Sequence, residues 1–430
     1  MSRQIQSVRG MNDVLPTQVA LWQHLERVLG GLLREYGYDE LRVPIVEHTE
    51  LFHRSIGEHT DIVEKEMYSF ADAGGELLTL RPEATAGIVR AIISNGLLRG
   101  ARLKLWTAGP MFRHERPQKG RFRQFHQFSV EAVGFTGPDI DAELIALSAR
   151  LWRRLGISRV RLLINSLGSS ESRQRYKEQL LVYLKRHESA LDEDSRRRLL
   201  GNPLRILDSK KPAMQELIAG APALTDSLDE ESQQHFASLR AALDALGIAY
   251  TVNPRLVRGL DYYSRTVFEW VSDALGAQDA ICSGGRYDGL IAQLAGEPTP
   301  GIGFALGVER VVELLSQGAP LPVAAAPAAY LIASGARAEL AALQLAEALR
   351  EALPGAGVQM NLGAGNFKAQ FRRADRSGAC LALILADVEL DRGVIAVKPL
   401  RREVGQSECL IAELPGRMSK ILEEESWKTS

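Results

Sequence analysis

The sequence predicts an α+β protein of more than one domain: an antiparallel hairpin surrounded by helices, a helical insertion, and a separate small α/β unit at the C-terminal end. Three observations carry this expectation. Two alternating segments flank the cation-rich stretch 113–123 (RHERPQKGRFR) and read as the arms of a hairpin. Residues 169–247 lose β-branched side chains and fill with Arg, Glu, Leu and Gln, a composition that favours helices. Residues 316–329 (SQGAPLPVAAAPAA) are rich in alanine and proline, and strand and helix patterns alternate after them. A chain of 430 residues that is 45% hydrophobic and 24% charged can build two to three ordinary globular domains.

A helix opens the chain, because Leu21, Leu25, Val28, Leu32 and Tyr36 recur at helical spacing and Gly37 is suited to end it. Residues 40–47 (ELRVPIVE) alternate as a strand, and Pro44, which lacks a ladder donor, places that strand at an edge or an interface. A short apolar strand at 77–80 runs into Arg81, Pro82, Glu83 and Thr85, with a helix over 87–98 for which Thr85 is a natural N-cap. After the hairpin come an amphipathic helix over 141–155 and a strand over 160–165. Strand signals resume at 250–252, 265–271 and 280–282; residues 283–289 (SGGRYDG) read as a glycine-rich turn, and a helix over 308–315 follows GIGFALG at 301–307. Beyond the linker the pattern gives strands at 330–333, 358–361, 381–386 and 394–399, and helices at 337–353 and 367–377.

A formal net charge of -1 excludes a uniform basic coat, so any contact with nucleic acid must come from local patches such as 113–123. Cys282, Cys380 and Cys409 stand far apart, with no CxxC pair and no metal-ligand spacing, and fit free thiols in a reducing cytoplasm. The first residues lack an apolar signal region and no uninterrupted apolar run reaches about 18 residues, so neither secretion nor membrane insertion is expected. Neither a GxxxxGK[ST] loop nor an early GxGxxG turn occurs, and HExxH and GxSxG are also missing. A nucleotide must therefore be held by another architecture.

The hairpin carries the chemistry. Its loop sets five fixed cations against one acid, an arrangement suited to phosphate. Side chains two residues apart share a strand face, so Arg113 and Glu115 point one way as the first arm ends. On the returning arm Phe125, Gln127, Ser129 and Glu131 share one face, and His126, Phe128, Val130 and Ala132 the other. A ring, an amide and a carboxylate where Val and Ile would normally sit can stack a base and hydrogen-bond a polar solute beside a polyphosphate. Three further clusters stand out: Arg258, Asp261, Tyr262, Tyr263 and Arg265 within 256–270 (LVRGLDYYSRTVFEW); Arg286 and Tyr287 in SGGRYDG; and Arg310 in 301–310 (GIGFALGVER), a cation in the first turns of a helix whose N-terminus is already positive.

In order, these pieces resemble the class II aminoacyl-tRNA synthetases, enzymes built on an antiparallel sheet flanked by helices. The Pro44 segment is similar to their motif 1 at the dimer interface, residues 109–134 (GPMFRHERPQKGRFRQFHQFSVEAVG) to motif 2, and GIGFALGVER to motif 3. RGLDYYSRTVFEW and SGGRYDG are similar to the two peptides that mark the histidyl-tRNA synthetase subfamily, as are RGMNDVLP near the start and RPEATAG at 81–87, where Ala84 stands in place of an expected glycine. The resemblance implies a catalytic domain over 1–320 interrupted by an insertion at 169–248, a linker at 321–328, and an anticodon-binding α/β domain at 329–430. It implies a cytoplasmic homodimer that activates L-histidine with ATP, magnesium accompanying the phosphates with ligands left unplaced, and charges tRNA(His). Arg113 and Arg258 fall on the catalytic positions. Arg121 and Arg310 fall on the triphosphate, Glu115 near adenine, and Phe125 beneath it, with Gln127 also bordering ATP. The histidine set is Glu83, Ala84, Thr85, Arg113, Gln127, Glu131, Arg258, Tyr262, Tyr263 and Tyr287, with Glu131 and Tyr263 on the imidazole. Gln118 and Arg123 are placed at the tRNA acceptor end, and Lys368, Arg372, Arg373 and Arg376 read equally as a phosphate-facing helix or as a solvated helix face. A second reading has the same ancestry without catalysis: the histidine-sensing regulatory subunit of ATP phosphoribosyltransferase, which lacks the anticodon domain and much of the ATP machinery.

Overall fold

The computed structural model describes residues 4–58, 60–207, 209, 211–276, 279–318, 326–363 and 365–426. They form two compact units, Met1–Leu321 and Pro322–Ser430. Residues 321–325 of the expected linker lie outside the described residues.

Among the described residues, the first unit is built on an eight-stranded sheet. Its order is Asp39–Glu40, Leu103–Phe112, Gln124–Val133, Gly301–Gly307, Ala280–Arg286, Ser264–Val271, Arg161–Ser166 and Thr251–Val252. The inner strands pair antiparallel, as expected, but both edge strands pair parallel to their neighbours. A parallel neighbour needs a crossover, and helices stand in both connections: Thr85–Ser94 before Leu103, and Ser170–Arg186 through Glu230–Ala245 before Thr251. One face of the sheet is covered by the helices Pro16–Glu35, Pro138–Arg154 and Glu230–Ala245, whose Leu25, Leu29, Leu147, Leu151 and Leu239 pack with Phe128, Val130, Phe268 and Phe304. Each such side chain contributes about 1.5–3 kcal/mol by leaving water. The core on this face fixes which hairpin residues remain for the opposite face.

Two local expectations are corrected. The strand expected over 40–47 breaks near Pro44: Asp39–Glu40 joins the large sheet, whereas Val46–His48 pairs with Leu77–Leu80 in a separate three-stranded sheet with Tyr68–Ala71. Buried Arg81 takes over the backbone bonding at the break, donating from Nη1 to the Val43 carbonyl at 3.0 Å and from Nε to that of Pro110 at 2.9 Å. Residues 283–286, read as a turn, are strand, and a Cβ at Gly284 would run into the Gly303 carbonyl across the ladder.

Within 169–248, the helices Ser170–Arg186, Glu193–Gly201 and Pro212–Ala219 gather around Tyr176, Leu180, Leu184, Leu199, Met214 and Ile218. Ser169 and Asp192 cap the first two by accepting from the Ser172 and Ser195 amides. The last helix, Glu230–Ala245, turns back onto the main core through Phe236, Leu239 and Leu243, and its His235 bonds Asp141 at 2.8 Å.

Among the described residues, the second unit has a five-stranded sheet in the order Val358–Met360, Ala329–Ser334, Leu381–Ala386, Val394–Pro399, Ser407–Leu410, parallel over the first three strands and antiparallel beyond. Leu345, Leu349, Leu414 and Met418 cover one face, and Ala374 of the helix Phe367–Arg376 meets Tyr330 and Ile332 on the other. No helix among the described residues is long and apolar enough to cross a membrane.

Candidate active site

The opposite face of the large sheet, packed in part by the helix Thr85–Ser94 and the helices of 169–248, holds a cleft. Period-two alternation delivers Phe125, Gln127, Ser129 and Glu131 to it from one strand, while Phe128, Val130 and Ala132 enter the core behind. Glu131 lies at the closed end, 1% exposed, where its Oε1 accepts from Thr85 Oγ1 at 2.6 Å and its Oε2 from Tyr287 Oη at 2.7 Å. Burial pushes its carboxyl up to about 8, against the two hydroxyl donors, which favour the ionised form. The neighbouring strand admits it only because residue 303 is glycine: a Cβ there would occupy the position of the Glu131 carboxylate. Tyr262 and Tyr263 complete the wall, their ring centroids 4.7 Å apart and that of Tyr262 5.9 Å from Tyr287. Burial raises the pKa of all three phenols, so they remain hydrogen-bond donors.

Glu83 anchors the adjoining turn. Its two oxygens accept from the Thr85 amide at 2.7 Å and the Ala86 amide at 2.9 Å, so Glu83 caps the helix Thr85–Ser94 and leaves the Thr85 hydroxyl for Glu131. The expectation of Thr85 as N-cap is thereby corrected. Gln127 Oε1 and Ser129 Oγ are buried in the cleft wall without a hydrogen-bond partner among the described residues. Such buried polar atoms suit a polar ligand.

Toward the open end the cleft is lined by Arg113, Arg121, Arg258 and Arg310. Arg113 donates from Nε to the Pro82 carbonyl at 2.9 Å and its guanidinium carbon sits 5.3 Å from the Phe125 ring centroid. Arg258 reaches Glu269 at 2.6 Å, and Arg121 pairs with Glu115 and, at 3.6 Å, with Glu66. Arg310 donates from Nε to the Gly120 carbonyl at 3.0 Å, tying residues 301–310 to the hairpin loop. Burial first, then the charges of Arg113 and Arg121, lower the pKa of the Arg310 guanidinium. Crowded cations of this kind are relieved by a polyanion.

The structure thus gathers Glu83, Thr85, Arg113, Glu115, Arg121, Phe125, Gln127, Glu131, Arg258, Tyr262, Tyr263, Tyr287 and Arg310 around one cleft. Ala84 is buried behind it, Gln118 lies exposed at the loop tip in a backbone bridge with Arg121, and Arg123 packs beside Gly10, donating from Nε to the Glu115 carbonyl at 3.1 Å. Arg286 does not face the cleft; it is buried against Asp141 at 2.8 Å and holds the start of the helix Pro138–Arg154. Three further residues emerge. Glu269 holds Arg258, Glu66 faces Arg121, and Glu309 accepts from the His126 amide at 2.9 Å, locking residues 301–310 to the hairpin. Glu269 was detectable, a lone acid in the apolar strand RTVFEWV on the face opposite Phe268 and Trp270. Among the described residues no group of three or more His, Cys, Asp or Glu is arranged to hold a metal ion.

An antiparallel core sheet carrying a long hairpin and a strand-helix element with an inward arginine is the fold of the class II aminoacyl-tRNA synthetases, here followed by an α/β anticodon-binding domain. Residues 10–311 match the histidyl-tRNA synthetase family and residues 329–421 the anticodon binding domain family. The chain belongs to the histidyl-tRNA synthetase family. It is similar to the apo histidyl-tRNA synthetase of S. aureus, with 34% identity, 96% of this chain and 100% of that one covered, and a TM-score of 0.81. It shares its fold with histidyl-tRNA synthetase from a Nostoc species (19% identity, 97% and 100% covered, TM-score 0.68). The same holds for an ATP phosphoribosyltransferase regulatory subunit/histidyl-tRNA synthetase from Bacillus halodurans (22%, 87% and 97%, TM-score 0.64).

Proposed function

We propose that the protein activates histidine with ATP, giving histidyl-adenylate and pyrophosphate, and then transfers the histidyl group to the terminal adenosine of tRNA(His). The observation that carries this reading is one continuous cleft with an acid and phenols at its closed end and four arginines at its mouth. A neutral imidazole presents one donor and one acceptor, and Glu131 with Tyr263 offers the complementary pair. Gln127, Glu83, Thr85 and Tyr262 surround the amino group. The histidine carboxylate attacks the α-phosphorus as the bond to the departing pyrophosphate breaks, and Arg113 and Arg258 neutralise the two anions brought together there. Arg121 and Arg310 hold the outer phosphates; Phe125 stacks on the adenine and Glu115 borders it. Magnesium arrives with the nucleotide as part of the substrate. Gln118 and Arg123, outside the cleft, meet the acceptor end, and the second unit takes the anticodon. The working form is a cytoplasmic homodimer joined through the Pro44 segment.

The sensor reading shares the fold and the histidine pocket but has no use for four arginines at a triphosphate site. Charging of a tRNA(His) transcript with labelled histidine tests the two. The enzyme reading expects ATP-dependent histidyl-tRNA; histidine binding without any charged product would favour the sensor.

A further inference from the structure

The segment that brings Arg258, Tyr262 and Tyr263 to the cleft is neither helix nor strand, so its backbone polar groups must be satisfied from outside it. Two of its carbonyls are satisfied by the helical stretch that follows strand Arg161–Ser166. Arg173 donates from Nη1 to the carbonyls of both Asp261, at 3.0 Å, and Tyr263, at 2.5 Å. Asn202 Nδ2 donates to the Asp261 carboxylate at 2.6 Å. Just ahead of Arg173, Leu167 and Gly168 exchange backbone hydrogen bonds with Arg265, at 2.6 and 2.9 Å. Arg265 has φ 45, a left-handed conformation costly for a residue with a side chain and sustained here by those bonds. One short stretch, 167–173, therefore fixes the end of the loop and two of its carbonyls.

We propose that Arg173, which does not line the cleft, is a positioning residue for histidine activation: its guanidinium sets the backbone from which Tyr262, Tyr263 and Arg258 reach the reacting groups. This rests on the cleft being a histidine and ATP site. The side chains it positions hold the amino acid and the reacting phosphorus rather than the adenine, so its loss acts on histidine and on turnover while sparing ATP.

The test compares the full-length native chain, Arg173→Ala and Arg173→Lys in histidine-dependent ATP–pyrophosphate exchange, with histidine titration calorimetry and thermal unfolding in parallel. For Arg173→Ala the expected result is a histidine KM raised about tenfold or more and a kcat lowered about tenfold, with the ATP KM within about twofold of the native value. Arg173→Lys, which keeps the charge but not the planar fork, recovers part of this loss. Native histidine KM and kcat in Arg173→Ala overturn the inference, and so does an equal rise in both KM values. If Arg173→Ala unfolds, Asn202→Ala, which loosens the same loop at Asp261, must reproduce the histidine-selective loss or the inference falls. If the native chain binds histidine without exchange, the enzyme reading fails alone, and the histidine Kd of the variants decides the inference by the same criteria. A native chain that neither exchanges nor binds histidine sinks both.

Discussion

Glu131 meets three conditions with one side chain: it is buried where the proposed function needs it to select histidine, satisfied by Thr85 and Tyr287, and accommodated by the missing side chain of Gly303. Its carboxyl, raised from 4.5 to about 8 by burial, binds more protons in the folded chain than in the unfolded one across that interval. Its contribution to stability is therefore complete below about pH 4.5 and is lost as the pH rises through about 8. Glu131→Gln stays neutral, so urea denaturation from about pH 5 to pH 8 should show a flatter decline in stability for this variant than for the native chain. The same substitution is expected to raise the histidine KM by about 10- to 100-fold, the cost of leaving a buried polar group of the ligand without its partner, and to leave the ATP KM nearly unchanged. Equal losses for both substrates would mean a collapsed pocket. Arg258→Ala is expected to abolish histidine-dependent pyrophosphate exchange, a fall of at least about 100-fold, with far-UV circular dichroism unchanged. Retained exchange would remove Arg258 from the chemistry.

At the scale of elements, the cleft depends on how strands and helices are locked together. Asp141 joins the helix Pro138–Arg154 to buried Arg286 on a central strand and to His235 on a third element. Asp141→Ala would leave buried Arg286 with only the partly exposed Asp288 carboxylate, at 3.2 Å, and His235 without its partner, and urea denaturation should register a loss of about 3–5 kcal/mol. The hairpin was legible in the sequence because alternation divides its residues between faces, and Phe125, Gln127, Ser129 and Glu131 meet in the cleft as that rule requires. Glycine was less legible. In SGGRYDG it signalled a turn, yet the chain continues as a strand, because Gly284 answers the approach of a neighbouring backbone that local sequence does not reveal. The cap on the helix Thr85–Ser94 was missed for a related reason: Thr85 had a distant partner in Glu131, and Glu83 took its place. Arg286 was singled out as a charged residue in a motif, and only the fold shows that its partner is a buried aspartate 145 positions away.

For the whole molecule, two units have separate cores, and in the proposed function the first activates the amino acid and the second recognises the tRNA. A fragment ending at residue 321 is expected to keep histidine-dependent exchange within about tenfold of the full chain and to lose most charging of tRNA(His), as measured by single-turnover transfer. The small unit's alternating pattern was readable up to strand Val394–Pro399; Ser407–Leu410 is too short and too polar to announce itself before its partner is known. The ordered series of motifs pointed to a family, but convergence of Arg113, Glu131, Arg258 and Arg310 on one cleft is a property of the fold. The most direct measurement of the central claim is ATP–pyrophosphate exchange with each of the twenty amino acids in turn, with and without tRNA. The result expected is exchange with histidine alone; absence of exchange with histidine, or exchange led by another amino acid, would contradict the account.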